Sequence, residues 1–293
     1  MRSFPYGYRQ VEVVMIRILI ATDGHYGAQF NSSSYIDGGE YPCEFRHETM
    51  MGWINAEANA NGLDFVVFNG DNWNNTPYAQ VPEGHGGEGE YFCVRTRYWY
   101  DQLKPVNGGH VAHDPSKGSV LTYYASHGNH DRWAAFGGSG FVPSYEDFFG
   151  HPVNHSFSYG GYGFILLNSG SEGAVDVGYG TGYDLPSYLF LKNSVDSFMA
   201  NDMPVIVFCH VDWNSFQYLG GATQSGYFGE CAPHHALCAS NPYVLAVVHG
   251  HRHTLPIILE EDTQTYHFAC QFSHRNGGPE AWGYRIIELP ERS

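Results

Sequence analysis

Short apolar runs alternate along this chain with polar, glycine-rich stretches. Ile16–Ala21, Phe65–Phe68, Val120–Ala125, Phe164–Asn168, Val205–Cys209 and Val244–Val248 are rich in β-branched and aromatic residues and bounded by turn residues, the pattern of buried strands. Between the first two, Met50, Trp53, Ile54 and Ala58 recur at helical spacing over Phe45–Asn61, and Asn61-Gly62 ends that helix. Leu185–Ala200 reads as a second helix, with Pro186 tolerated in its first turn. His155–Tyr159 and Phe164–Asn168 flank Gly160–Gly163 as a hairpin, and Ile257–Leu259, Tyr266–Ala269 and Tyr284–Leu289 close the chain as strands. Tyr91–Leu103 suits a helix set between surface loops, while residues 26–44, 170–184 and 212–241 read as loop-rich. Buried strands alternating with helices predict βαβ units, parallel pairing and an α/β fold. Residues 1–14 read as an N-terminal extension, disordered or preceding the true start, and residues 15–293 as one domain.

The residues at the strand ends turn the picture from fold to chemistry. Five strand-like runs are each succeeded by side chains able to hold a metal: Asp23-Gly24-His25, Gly70-Asp71, Gly128-Asn129-His130-Asp131, His210 and Gly250-His251-Arg252-His253. Strand C-terminal ends are where open α/β sheets place ligand sites. Asp23 and His25 lie two apart, as do His251 and His253, so each pair can face one cleft. Gly70, Gly128 and Gly250 permit tight turns where backbone must approach the site. Asp, Asn and His without Cys form an oxygen/nitrogen donor set suited to manganese, iron, zinc or cobalt rather than to a thiolate site. Asp131 also suits a helix N-cap. His249 suits a hydrogen-bonded core histidine or a residue behind the metal ligands.

The five blocks, in this order, resemble the calcineurin-like metallophosphoesterase superfamily, whose pattern is D-x-H, G-D, G-N-H-[DE], a lone His and G-H-x-H. The match runs from Ile16 to about Leu289. The resemblance implies a four-layer α-β-β-α sandwich of two mixed sheets with the metal site at the strand C-terminal ends. It implies two divalent transition-metal ions, manganese first among the candidates. One would be held by Asp23, His25 and His253, the other by Asn129, His210 and His251, with Asp71 bridging them. His130 would face the phosphoryl oxygens as acid or charge stabiliser, and Asp131 would fix its ring. The implied activity is hydrolysis of a small phosphoester, a phosphodiester or a phosphomonoester, with nucleotides among the candidate substrates. The cyclic-nucleotide-type phosphodiesterase branch shares D-x-H and G-N-H-[DE]. The purple acid phosphatase branch needs Tyr three residues after the bridging Asp, where Asn74 stands. His127, Asp212-Trp213 and the polar run Asn72–Asn75 also depart from the usual pattern, and these positions bear on the substrate class. The alternative is a non-catalytic structural or binding protein, such as a virion component, that keeps the fold; the Gly- and Tyr-rich loops motivate it.

Composition bounds the partners. The chain has 293 residues, 43% hydrophobic and 16% aromatic, enough for a sizeable core, and a net charge of −16 from 14 basic and 30 acidic residues. That acidity opposes nucleic-acid binding, which depends on Lys and Arg neutralising phosphates. The six cysteines show no C-x-x-C spacing, which argues against a zinc ribbon. Cys209 reads as a small core residue, whereas Cys231 and Cys238 could pair in an oxidising compartment. Glu83, His85, Glu88 and Glu90 suit either a solvated loop or a further cation site. No run reaches the length of a membrane-spanning helix. Glu12 and Arg17 interrupt the N-terminal apolar stretch, which a signal-peptide core does not tolerate. A cytoplasmic location is the resulting expectation, although the Gly, Tyr and Asn richness also suits a secreted or virion-associated protein.

Overall fold

A computed structural model describes residues 14–24, 43–72, 98–104, 121–128, 131, 149–169, 185–211, 225–250, 257–260, 265–269 and 283–292. Within them the strands are β1 (Met15–Ala21), β2 (Phe65–Asn69), β3 (Tyr123–Ser126), β4 (His155–Tyr159), β5 (Tyr162–Leu167), β6 (Val205–Cys209), β7 (Val244–His249), β8 (Ile257–Glu260), β9 (Thr265–Ala269) and β10 (Arg285–Pro290). The helices are α1 (Cys43–Asn61), α2 (Leu185–Ala200) and α3 (Ser225–Ser240). One sheet has the order β10-β1-β2-β3, the other β4-β5-β6-β7-β9-β8. β1, β2 and β3 run parallel, as do β5, β6, β7 and β9, while β10, β4 and β8 pair antiparallel at the edges.

Strand alternation sorts the apolar residues into three layers. Ile16, Ile18 and Ile20 of β1 and Phe65 and Val67 of β2 meet Phe164, Leu166, Ile206, Phe208 and Val248 across the gap between the sheets. Their neighbours Leu19, Ala21, Val66 and Phe68 point the other way, onto Met50, Met51, Ile54 and Ala58 of α1. On the far side, Ile165, Leu167, Val207 and Cys209 pack against Leu191 and Val195 of α2 and Cys238 of α3. Both faces of each central strand are therefore buried, which is why the sequence shows unbroken apolar runs there instead of alternation. The layering is α-β-β-α, as the resemblance implies.

Two expectations from the sequence change. Residues 225–240, expected within a loop-rich stretch, form α3. Gly226, Gly229 and an internal Pro233 mask the helix in the sequence, since each opposes helix locally. Tertiary contacts supply what propensity lacks: Cys238 is buried, and His234 Nε2 lies 2.9 Å from Ser187 Oγ of α2. Cys238 is also a free thiol, as is Cys209, so the pairing of Cys231 with Cys238 is not formed. The helix expected over Tyr91–Leu103 is described only at 98–103, of which 98–100 are helical and 101–102 a turn. The 1–14 extension (Val14 apart), the loops at 26–42, 170–184 and 212–224, and the Glu83–Glu90 group lie outside the described residues. Among the described residues no helix is long and apolar enough to cross a membrane.

Candidate metal centre

The parallel strands β1, β2 and β6 carry the chemistry at their C-terminal ends. β1 delivers Asp23, β2 delivers Asp71 and β6 delivers His210, all buried. One ligand atom from each of these three lies within 4.8 Å of the others. His210 Nε2 is 2.9 Å from Asp71 Oδ2 and 3.7 Å from Asp23 Oδ1. Residues 48 to 187 positions apart in sequence thus converge on one point. His25, Asn129, His130, His251 and His253 lie outside the described residues.

The backbone at this point is tightly constrained. Asp23 and Asp71 adopt φ of 60° and 49°, a left-handed conformation that costs a non-glycine residue on the order of 1 kcal/mol or more. Asp23 N donates to Gly70 O at 3.0 Å, locking the β1 and β2 ends together. Gly70, at φ 86°, faces His210 so closely that any Cβ would overlap its ring. A Cβ on Gly128 would overlap Asp71 N and Oδ1, and one on Gly250 would collide with Thr22 Oγ1 and lie 2.7 Å from Asp23 Oδ2. The glycines of the three sequence blocks are thus the positions where neighbouring strand ends touch the carboxylates or the imidazole.

Electrostatics favour a cation here. His210 Nδ1 is 2.8 Å from Asn69 O, and a carbonyl can only accept, so Nδ1 carries a proton. The ring therefore presents Nε2 to two buried carboxylates. A neutral imidazole would turn its lone pair toward negative charge, so a proton or a metal ion must lie between them. Burial alone would lower the His210 pKa, but Asp71 and Asp23 outweigh it and push it up to about 10. Buried charges are normally paired or bound to metals, and here two carboxylates and an imidazole share one buried point. The Asp-Asp-His donor set therefore fits divalent ions.

Two consequences can be measured. A metal ion binding Nε2 must displace the His210 proton. Mn2+ uptake by metal-free protein at pH 7 should release at least one proton, by calorimetry in buffers of differing ionisation enthalpy, and one fewer in His210→Gln. In the metal-free protein the folded pKa of about 10 exceeds the ordinary 6.5. The His210 contribution to stability is thus fully present below about pH 6.5 and lost as pH rises towards 10. Metal-free protein should show a falling Tm across that window, and His210→Gln should flatten it.

Around the three ligands lie residues that the sequence motifs do not flag. They brace Asp131, which the motif does include and which is buried. Its Oδ2 accepts from Gly128 N at 2.8 Å and from Asn72 Nδ2 at 2.9 Å. Asp131 N in turn donates to Gly128 O at 3.3 Å. Asn72 Nδ2 also donates to Ser126 O, and Tyr100 OH donates to Asn72 Oδ1, both at 2.8 Å. Tyr100 stacks on Phe68 at 3.6 Å. Asn72, conspicuous in the sequence only as a polar departure, thus braces Asp131 and the end of β3 from inside the core. Ser169 Oγ accepts from His210 N at 2.8 Å and Val211 N at 3.1 Å and donates to His127 O at 3.3 Å. Burial pushes His127 down to about 4, against the pull of Asp131 and Asp71, so it stays neutral at physiological pH. His249 is buried at the end of β7. Beyond His127, His249 and Asn72, which the sequence singles out, only a polar residue inside or beside an apolar run signals this layer: Thr22, Asn69, Ser126 and Ser169.

Comparison with known proteins agrees with this geometry. A family model described as calcineurin-like phosphoesterase matches residues 16–255. No curated protein matches the sequence. Among solved structures, a dimetal phosphatase from Danio rerio superposes with a TM-score of 0.53 at 11% identity, covering 87% of each chain. A purple acid phosphatase from yellow lupin, Lupinus luteus, gives a TM-score of 0.48 at 15% identity, covering 88% of this chain and 44% of that one. At these identities the likeness to the Danio rerio structure speaks for the fold alone.

Proposed function

Because this chain belongs to the calcineurin-like phosphoesterase family, we propose that it hydrolyses a small phosphodiester or phosphomonoester at a dinuclear centre built on Asp23, Asp71 and His210. The convergence of these three buried ligand atoms within 4.8 Å is the observation that carries the reading. Asp23, His25 and His253 would hold one ion, Asn129, His210 and His251 the other, and Asp71 both. Manganese is the expected metal. Bound there, the ions would lower the pKa of water and neutralise phosphoryl charge.

The chain's own residues do the rest. Asn69 O holds the His210 ring with Nε2 facing Asp71. Asp131, braced by Asn72, pins one end of the segment that carries His130. His130 would donate a proton to the leaving oxygen or stabilise charge developing on it. The buried Asp-Asp-His group argues against an inert scaffold, which needs no such convergence of metal-capable side chains.

A panel of mono- and diester substrates assayed with defined metals tests the reading. Metal-dependent turnover of small phosphoesters is expected, with duplex DNA bound poorly at physiological salt because of the net charge of −16. No turnover of any phosphoester by metal-loaded protein would refute the first part. Tight, salt-sensitive duplex binding would refute the second.

A further inference from the structure

The two half-sites sit on different sheets: Asp23 and Asp71 on the β1–β2 side, His210 and Gly250 on the β6–β7 side. Apolar packing between the sheets is non-directional and leaves the sliding of one strand end past another loosely fixed. Metal sites need their ligands held to about 0.5 Å. Something directional must join the halves.

Asn69, the last residue of β2, is fully buried between the sheets. Its Nδ2 donates to Cys209 O of β6 at 3.1 Å and to Val248 O of β7 at 3.0 Å. Two carbonyl partners fix the amide orientation, since both can only accept. Oδ1 accepts from Ser126 Oγ of β3 at 2.7 Å. The backbone carbonyl of the same residue accepts from His210 Nδ1 at 2.8 Å and lies 2.7 Å from Thr22 Oγ1. Thr22 Oγ1 is also 2.9 Å from Asp23 Oδ2. One residue thus reaches five strands that lead into the site: β1 through Thr22, β2 directly, β3 through Ser126, β6 through Cys209 and His210, and β7 through Val248.

We infer that Asn69 is a positioning residue that holds the two halves of the metal centre in register, so that two ions can bind as a coupled pair. This rests on the dinuclear reading above. Its side-chain amide ties the sheets together, and its carbonyl aims the imidazole of His210. Loss of the amide leaves the ligands in place but frees the β6 and β7 ends to shift against Asp71.

The test titrates metal-free protein with Mn2+, reading affinity by calorimetry and ion coupling by electron paramagnetic resonance. Wild type should bind two ions with a spin-coupled pair signal. Fewer than two would refute the dinuclear reading itself. Asn69→Leu, matched in heavy-atom count and branching but without the amide, should bind the second ion about 10- to 100-fold more weakly, the usual cost of losing an outer-shell partner. Its signal should become that of isolated Mn2+. Ser126→Ala, which removes only the hydroxyl orienting Asn69, should shift affinity in the same direction by less, and it decides the matter if Asn69→Leu does not fold. Ser187→Ala breaks a buried contact between α2 and α3 and controls for stability loss alone; it should keep the wild-type affinity and pair signal. The inference is overturned if folded Asn69→Leu, or Ser126→Ala in its place, retains wild-type affinity and coupling. It is equally overturned if Ser187→Ala loses the pair signal to the same extent.

Discussion

Asp71→Ala should strip both metal ions from the purified protein and abolish turnover. Asp71 is buried, its Oδ2 is 2.9 Å from His210 Nε2, and its backbone is wedged against Gly128. A carboxylate in that position has no freedom to serve one ion and withdraw from the other. Under the proposed bridging role, removing it would take a ligand from each ion, and with it goes half of the negative charge of the Asp23, Asp71 and His210 group. Affinity should fall by more than the roughly 10- to 100-fold that outer-shell losses cost. His253→Ala, by contrast, should affect mainly one ion. Elemental analysis of the two variants, with circular dichroism to confirm folding, distinguishes them. Wild-type occupancy of either ion in Asp71→Ala would contradict the bridging role.

His130→Ala should keep both ions but lose about 10²- to 10⁴-fold in kcat, the usual contribution of a positioned acid or base. His130 succeeds a proposed ligand, Asn129, and in an extended chain the two side chains would point to opposite faces. The flanking residues are close, Asp131 N donating to Gly128 O at 3.3 Å. The loss should be smaller for substrates with good leaving groups, which need little proton donation. Normal turnover of a poor-leaving-group substrate by the metal-replete variant would rule out the acid role. Loss of metal would instead make His130 a ligand.

The three described ligands are legible in the sequence because each comes after a run of apolar residues long enough to read as a strand. Asp23, Asp71 and His210 are ordinary residue types. Their position after Ile16–Ala21, Phe65–Phe68 and Val205–Cys209 marks them, and the fold brings their ligand atoms together. Apart from His249, the layer behind them shows in the sequence only as isolated polar residues whose partners are not legible. Asn69 and Ser126 look like strand-terminal polar residues, and nothing local shows that a β2 amide reaches carbonyls on β6 and β7. Asn72 and Tyr100 are 28 positions apart, with no periodic pattern linking them. The family resemblance gives Asp131 the task of orienting His130; its described hydrogen bonds go to Gly128 and Asn72, and the second of these partners is supplied only by the fold. α3 escapes the sequence for a different reason: Pro233 and two glycines argue locally against a helix that packing of Cys238 against the β6 face sustains.

Anomalous diffraction from crystals grown with Mn2+ tests the central claim most directly. Two peaks about 3.5–4 Å apart, flanked by Asp23, Asp71 and His210 with Asp71 between them, are the predicted result. Fully loaded crystals with no peak beside these three residues, or with the ions bound elsewhere on the chain, would contradict it.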